Sequence, residues 1–329
     1  MVSAPPCHGG GRGFKSRLGR IHILSFTIER FTPLKEDIDF LIVGTVRNVA
    51  KGIRSEILHL NKIFAQLGKF EFFFVESDST DNTVEILQGL KTENVNLDFI
   101  SLGDLRTTHP DRVTRLQFCR NHYLIYLQEE LILREIKYLI VVDLDGINTL
   151  LNSKTIAQSL RRNESWSAIF ANQSGPYYDI LALRHPIWCQ RNSFCDLEKL
   201  TPIFGYAKAK KLTVYDKMIK VDKSSPMIPV ISAFGGFGIY RAHILKDHDY
   251  TPTVNDEPGD IDHVVLNRKL SSVGEKLFID PQLVNGAWNH HNVMSIRLLR
   301  ELNYLIRKYN LTLMRKILRP IHRFVTKHV

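Results

Sequence analysis

The chain has 329 residues, with 44 Lys or Arg against 34 Asp or Glu, a formal net charge of +10, 44% hydrophobic and 24% charged residues. This usage is ordinary for a folded protein, and the length can bury a core without covalent staples, so wholesale disorder is excluded. No apolar run approaches the roughly 20 residues of a spanning helix, and Cys7, Cys119, Cys189 and Cys195 are too few and too scattered for a disulfide framework or a zinc knuckle.

Residues 1–30 carry a net charge of +4 and residues 296–329 one of +8, which leaves −2 for the body between them. A near-neutral body argues against a nucleic-acid enzyme with a basic binding face. The leader is rich in Gly and Arg and lacks the apolar stretch of a secretory signal, so it is expected to be disordered or not native to the protein. The cysteine usage suits a reducing, cytoplasmic setting.

Elements follow from Asp39. DFLIVGTV (39–46) is a buried-type strand, and 52–67 is an amphipathic helix with Ile53, Ile57, Leu60, Phe64 and Leu67 on one face. FEFFFVE (70–76) is a second strand, and SDSTDN supplies turn and capping residues for a helix through Leu90. A strand at 97–102, a long helix over 113–134 and a strand at 137–143 complete an alternating half. That order predicts an α/β fold: a Rossmann-like, mostly parallel sheet with helices on both faces. The second half reads as a strand at 168–172, a loop-rich stretch to about Pro226, a strand at 227–234, a turn at Gly235 and Gly236, a helix near 261–270 and a strand at 276–280. Residues 31–295 are expected to form the catalytic domain and 296–329 a helical tail.

The residues most suited to chemistry are Asp143 and Asp145 of VVDLDG. Four DxD pairs occur among 19 Asp, at 37/39, 143/145, 247/249 and 260/262, so the spacing alone has little weight. Only 143/145 ends a strongly apolar strand, where open α/β sheets collect ligands. Two carboxylates there need a cation, and hard oxygen ligands suit Mg²⁺ or Mn²⁺ that also holds a diphosphate. Thr45, Arg47 and Asn48 follow the first strand and Glu76, Ser77 and Asp78 the second, while Arg115, Arg120 and Asn121 lie on the long helix. Arginine suits phosphate, and a strand-end carboxylate suits ribose or base, so these residues together describe a nucleotide-diphosphate pocket with metal.

TVRNVAKGI (45–53), ESDSTDNT (76–83), DRVTRLQFCRN (111–121), the DxD and YYDILALRHP (177–186) resemble the metal-dependent glycosyltransferases of the GT-A fold. Within these they resemble most the fungal capsule-associated mannosyltransferase family, over roughly residues 39–291. The resemblance implies a nucleotide-sugar donor, GDP-mannose or a UDP-sugar, and a glycan or lipid-linked acceptor hydroxyl. It implies that Thr45, Arg47, Glu76 and Asp78 hold the nucleoside side of the donor, Arg120 its diphosphate, Asp143 the ribose or sugar, and Asp145 with Asp143 the Mn²⁺ or Mg²⁺. Gly235 and Gly236 match a small-residue turn beneath the sugar. Asp262, and after it Asp260, match a carboxylate facing the acceptor. His290 or His291 of AWNHHN matches a third metal ligand.

Three rival readings compete. VVDLDGINTL (141–150) is similar to the nucleophile motif of haloacid-dehalogenase-type phosphatases, but three βα units precede it and Ile147 stands where that motif has Thr. A sugar-1-phosphate nucleotidyltransferase needs a Gly-rich basic loop after strand one, which TVRNVAKG matches poorly. A non-enzymatic membrane-surface adaptor leaves the acidic crevice unexplained. The tail itself has apolar residues at helical spacing among Arg and Lys, and is expected to lie peripherally on the anionic cytoplasmic face of a membrane.

Overall fold

The structure is a computed structural model, described for residues 35–287 apart from 94, 255 and 258. The leader, His290, His291 and the basic tail lie outside the described residues, as do the expectations placed on them.

The first half follows the hydrophobic pattern closely. Strands β1 (Ile38–Val46), β2 (Phe70–Glu76), β3 (Leu97–Ser101) and β4 (Ile136–Val142) are joined by helices α1 (Ile53–Phe64), α2 (Thr83–Thr92) and α3 (Arg112–Leu133). They pair in parallel in the order β3-β2-β1-β4. Successive side chains of a strand point to opposite faces, and here both faces are covered. Leu41, Val43, Phe73, Val75, Leu139 and Val141 pack on the side of α3, with Cys119, Tyr123, Leu124 and Leu127. Phe40, Ile42, Phe72, Phe74, Ile140 and Val142 pack on the other side, with Ile53, Ile57 and Leu60 of α1 and Leu87 of α2. This double burial is why these strands read as unbroken apolar runs rather than as alternating ones.

The second half departs from the expected elements. A helix, α4 (Ser153–Leu160), precedes β5 (Ala168–Gln173), and the stretch expected as loop holds two more, α5 (Ser193–Phe204) and α6 (Tyr206–Thr213). The strand expected at 227–234 shrinks to β6 (Ile228–Val230), and the chain forms a further strand after the glycines, β7 (Phe237–Arg241). Helix α7 (Asp262–Ser272) and strand β8 (Leu277–Gly286) follow, the latter running through Pro281, which sequence alone takes as a strand end. The eight strands take the order β3-β2-β1-β4-β7-β5-β8-β6. β7 runs antiparallel between β4 and β5, and β6 antiparallel against β8, so six strands share one direction. The order reverses between β1 and β4, and their carboxyl ends open the crevice that such a reversal creates.

Among the described residues no helix is long and apolar enough to cross a membrane. The core makes a direct stability prediction. Phe74 is fully buried, so Phe74→Ala should cost about 3–5 kcal/mol by urea unfolding, whereas Leu58→Ala on the exposed face of α1 should stay within about 0.5 kcal/mol.

Candidate active site

A cavity of about 820 Å³ lies at the reversal point, lined from β1 by Thr45 and Arg47, from β2 by Asp78, and from β4 by Asp143 and Asp145. Helix α3 contributes Arg112, Arg115 and Arg120, and the start of α7 contributes Asp262. Tyr178 and Asp179, with Lys210 of α6, close the far side.

Two of the motifs are laced together by hydrogen bonds. The Asn48 side-chain oxygen accepts from the Thr80 N–H at 2.7 Å, and the Asn48 N–H donates to Ser79 Oγ at 3.1 Å. The Val49 N–H donates to Thr83 Oγ1 at 2.9 Å and the Ala50 N–H to Asp81 at 3.1 Å. Asn48 and Asp78 are the non-glycine residues with left-handed backbones among those described, at φ 52° and 57°. Such conformations persist where surroundings over-determine them, and both flank the cavity. Asp78 is further held by the Leu105 N–H at 3.1 Å and by Arg115 at 3.4 Å.

Glu76 is a correction to the expected nucleoside contacts. It is buried, accepts from the Ser79 N–H at 2.9 Å and from Ser101 Oγ, and does not line the cavity. Its carboxylate shapes the loop that carries Asp78.

Arg120 is the centre of the site. Its guanidinium, buried between the rings of Phe234 and Tyr250 at 5.7 and 5.9 Å, donates through Nε to Asp262 and through Nη1 to the Tyr123 hydroxyl at 3.2 Å. Nη2 lies 3.7 Å from Asp143. Burial pushes the Asp262 carboxyl up, but the Arg120 guanidinium and the His263 backbone N–H, which donates to it at 3.0 Å, outweigh burial and hold Asp262 below its ordinary value. His263 stacks on Phe234, and burial pushes its imidazole down to about 3, so it stays neutral.

Asp143 is opposite in character, although a third of its side chain still meets water. Burial raises it against the pull of Arg120, and Asp145, Asp179 and Asp262 add to the rise, bringing it to about 7. Glu56 of α1, which accepts from the Gly146 N–H at 3.2 Å, is also pushed up to about 7, by burial and then by Asp145 and Asp143. Asp179 is raised by burial as well. The DxD therefore sits among Glu56, Asp179 and Asp262, and the cation paired with Asp143 is Arg120, which Asp262 also engages. Such a carboxylate cluster fits a divalent ion of the Mg²⁺ or Mn²⁺ kind, which takes one or two carboxylates and fills its other positions with water and phosphate oxygens. Among the described residues no group of three His, Cys, Asp or Glu is arranged to hold a metal ion. Asp143 and Asp145 supply two donors, and the histidine expectation lies outside the described residues.

A buried amide network fixes the DxD against the glycine turn. The Asp143 N–H donates to the Gly236 carbonyl at 3.0 Å, and Asn148 Nδ2 donates to the carbonyls of Asp143 and Gly236 at 2.7 and 3.1 Å. Asn285 Nδ2 donates to Asn148 and to the Gly235 carbonyl at 2.9 and 2.8 Å, and Gln173 reaches both Gly235 and Asn285 at 3.2 Å. Gly235 and Gly236 have φ of 71° and 87°, and a Cβ on Gly236 would lie 2.7 Å from Ile147 Cγ2. Packing thus accounts for both glycines, and neither lines the cavity.

Asp260 is the second correction. Its side chain is buried between Arg184, at 2.5 Å, and Arg268, at 2.6 Å, and does not line the cavity. It anchors the approach to α7, while Asp262 reaches the site. Glu56, Asp179, Arg112, Lys210 and the amide network were not singled out from sequence. Arg112, Asp179 and Asn148 lie inside quoted motifs without being marked there, whereas Glu56 and Lys210 lie on helices outside any motif, and the fold brings them to the cavity region.

No protein-family model and no curated protein matches the sequence. Among solved structures, the chain is similar to TarS 1–349 of S. aureus at 16% identity and TM-score 0.45, covering 76% of this chain and 60% of that one. The same protein in complex with UDP-GlcNAc gives 15% identity and TM-score 0.44, over 78% and 60%. The mannosyltransferase PcManGT from Pyrobaculum calidifontis, in complex with GDP-Man and Mn²⁺, gives 12% and 0.46, over 85% and 65%. The chain thus spans less than two thirds of these proteins' lengths.

Breaking the central pair tests the site. Removing one partner of a buried ion pair costs about 3–5 kcal/mol, so Arg120→Gln should lower stability by that order. The pH sign follows from Asp262, whose folded value is depressed. Its contribution is present above the unfolded carboxylate value near ~4 and is lost as pH falls through the folded value. Without Arg120, burial pushes the Asp262 carboxyl up and the sign reverses, so the variant's stability deficit by urea unfolding should be largest near neutral pH and should shrink as acid protonates Asp262.

Proposed function

We propose that this protein is a metal-dependent glycosyltransferase that moves a hexosyl group, mannose by preference, from a nucleotide sugar to a hydroxyl of a glycan or lipid-linked acceptor. The observation that carries this reading is the pairing of opposite charges in one cavity at the sheet's reversal point. Arginines from α3 face the DxD carboxylates, and Arg120 joins Asp143 to Asp262.

On this reading Thr45, Arg47 and Asp78 line the nucleoside end, and Arg120, expected at the donor diphosphate, would be joined there by Arg112 and Lys210 of the same cavity. Arginine is suited to that task by its planar, bidentate fork. Asp143 and Asp145 would hold Mn²⁺ or Mg²⁺. When bound, the metal neutralises charge on the departing nucleoside diphosphate. Arg120 stays protonated and keeps Asp262 ionised, so the carboxylate is ready to take the proton of an acceptor hydroxyl at the start of α7. The same pairing makes Asp262 a weak base, suited to a late proton transfer as the sugar carbon develops oxocarbenium character. Base catalysis by Asp262 inverts the anomeric configuration, whereas the resemblance to the fungal family leans to retention, and NMR of the product reads which occurs.

Two experiments test the reading. In a thermal-shift screen, GDP-mannose or a UDP-sugar with Mn²⁺ should raise the melting temperature, since a ligand at 100 times its Kd adds about 2.7 kcal/mol. Asp145→Ala should lose the metal-dependent part and all transfer. Turnover unchanged in EDTA, or no response to any nucleotide sugar, defeats the proposal. Asp262→Asn should slow the chemical step by roughly two to four orders of magnitude with donor affinity little changed. Normal turnover in a variant that only melts earlier assigns Asp262 to structure.

A further inference from the structure

Beside the cavity, α5 and α6 pack as a hairpin about Gly205, whose φ of 76° reverses the chain where a side chain would be strained. Residues 202–208 at its tip are exposed without interruption. They include Ile203, Phe204 and Tyr206 at 69, 42 and 53% exposure. Half of the exposed large apolar side chains among the described residues lie between 187 and 219, so this exposure is concentrated, unlike the scattered apolar residues of an ordinary surface.

The tip is collared by positive charge. Helix α6 carries Lys208, Lys210 and Lys211 and no acidic residue. The Lys208 ammonium lies 4.9 Å from the centre of the Phe204 ring, and that of Lys210 lies 5.6 Å from Tyr206. Of the nearby acids, Asp216 pairs with Lys211 at 2.6 Å and Asp196 with Lys217 at 3.4 Å, and Glu198 of α5 lies beside Lys199 in the sequence. Apolar and aromatic side chains enter the headgroup boundary while lysine stems keep their charge among phosphates, which is the composition of an interfacial anchor. A soluble polyanion would engage the lysines and leave Ile203 and Phe204 in water. A second copy would cover the apolar tip and bring like charges together.

We propose that the α5–α6 tip docks this protein on an anionic phospholipid bilayer, with Ile203, Phe204 and Tyr206 in the interface and Lys208 on the headgroups. This contact is separate from the one expected of residues 296–329. Phe194, Lys210 and Tyr215 of the same segment line the cavity, so docking sets the cavity beside the bilayer. A lipid-linked acceptor then reaches it without leaving the membrane, and this consequence alone rests on the sugar-transfer reading.

The test is cosedimentation of the full chain with phosphatidylcholine vesicles, with and without phosphatidylglycerol. The wild type should bind the anionic vesicles, more weakly at high salt. Ile203→Ser/Phe204→Ser should bind about tenfold more weakly or worse, and Lys208→Gln should weaken binding to anionic vesicles, with melting temperatures unchanged. Absence of vesicle binding by the wild type overturns the proposal. So does equal binding by the double variant, which moves the contact to another part of the chain. A change in oligomeric mass on light scattering assigns the tip to a second copy, and retention on heparin without vesicle binding assigns it to a polyanion. The nucleotide-sugar thermal shift is read separately, so failure of the sugar-transfer reading leaves the vesicle result standing.

Discussion

Arg120 and Asp262 stand 142 residues apart in the chain, and in the fold neither charge can remain in the interior without the other. An isolated buried ion is too costly to keep, and a pair is tolerated only when its geometry is good and its remaining hydrogen-bonding groups are satisfied. Here the guanidinium is held between two aromatic rings and is shared among Asp262, Tyr123 and Asp143. The pair ties α3 to α7, and so ties the parallel half of the sheet to the mixed half. It also divides the carboxylates of the cavity into two kinds. Asp262 is kept ionised, while Asp143 is pushed up to about 7 by burial and then by three neighbouring carboxylates. On the proposed reading, these two kinds of carboxylate would serve as proton acceptor and as metal ligand.

Around this pair, the loops that form the cavity are fixed by short-range polar contacts rather than by the core. The β1–α1 and β2–α2 loops are joined through Asn48, Ser79, Thr80 and Thr83. On the other side, Gln173, Asn148 and Asn285 hold the glycine turn against the backbone of Asp143. Buried amides satisfied on most sides rigidify a site, because any shift leaves a polar group unpaired. The apolar layers beneath supply stability and the amide network supplies position. The α5–α6 hairpin contrasts with both, since its tip turns apolar side chains outward.

The first half of the fold was legible because each strand there is covered on both faces and each helix has one apolar stripe, so pattern and structure coincide. The second half was less so for physical reasons that can be named. Helices α5 and α6 leave Ile203, Phe204 and Tyr206 outside, which breaks the periodicity that marks a helix. β7 follows a glycine pair that reads as a loop, and β8 continues through Pro281. In the site, Asp143, Asp145 and Asp78 were marked by their place at strand ends. Glu76 ends β2 and Asp260 precedes α7, but both turn into the protein, one toward Ser79 and Ser101, the other between two arginines.

The sequence by itself determined the alternating α/β half, the position of the DxD at the end of an apolar strand, and the side of the sheet on which chemistry would gather. These depend on local periodicity and on the rule that ligands lie beyond the carboxyl ends of parallel strands. Only the tertiary structure decided which of two neighbouring carboxylates, Asp260 or Asp262, reaches the cavity, and that Arg120 would stand between Asp262 and Asp143. Two residues apart near a helix start, Asp260 and Asp262 are alike in type and in local propensity. What separates them is which arginine is buried beside each, a long-range fact that depends on how α3, α7 and the loop at Arg184 meet, and no local pattern carries it.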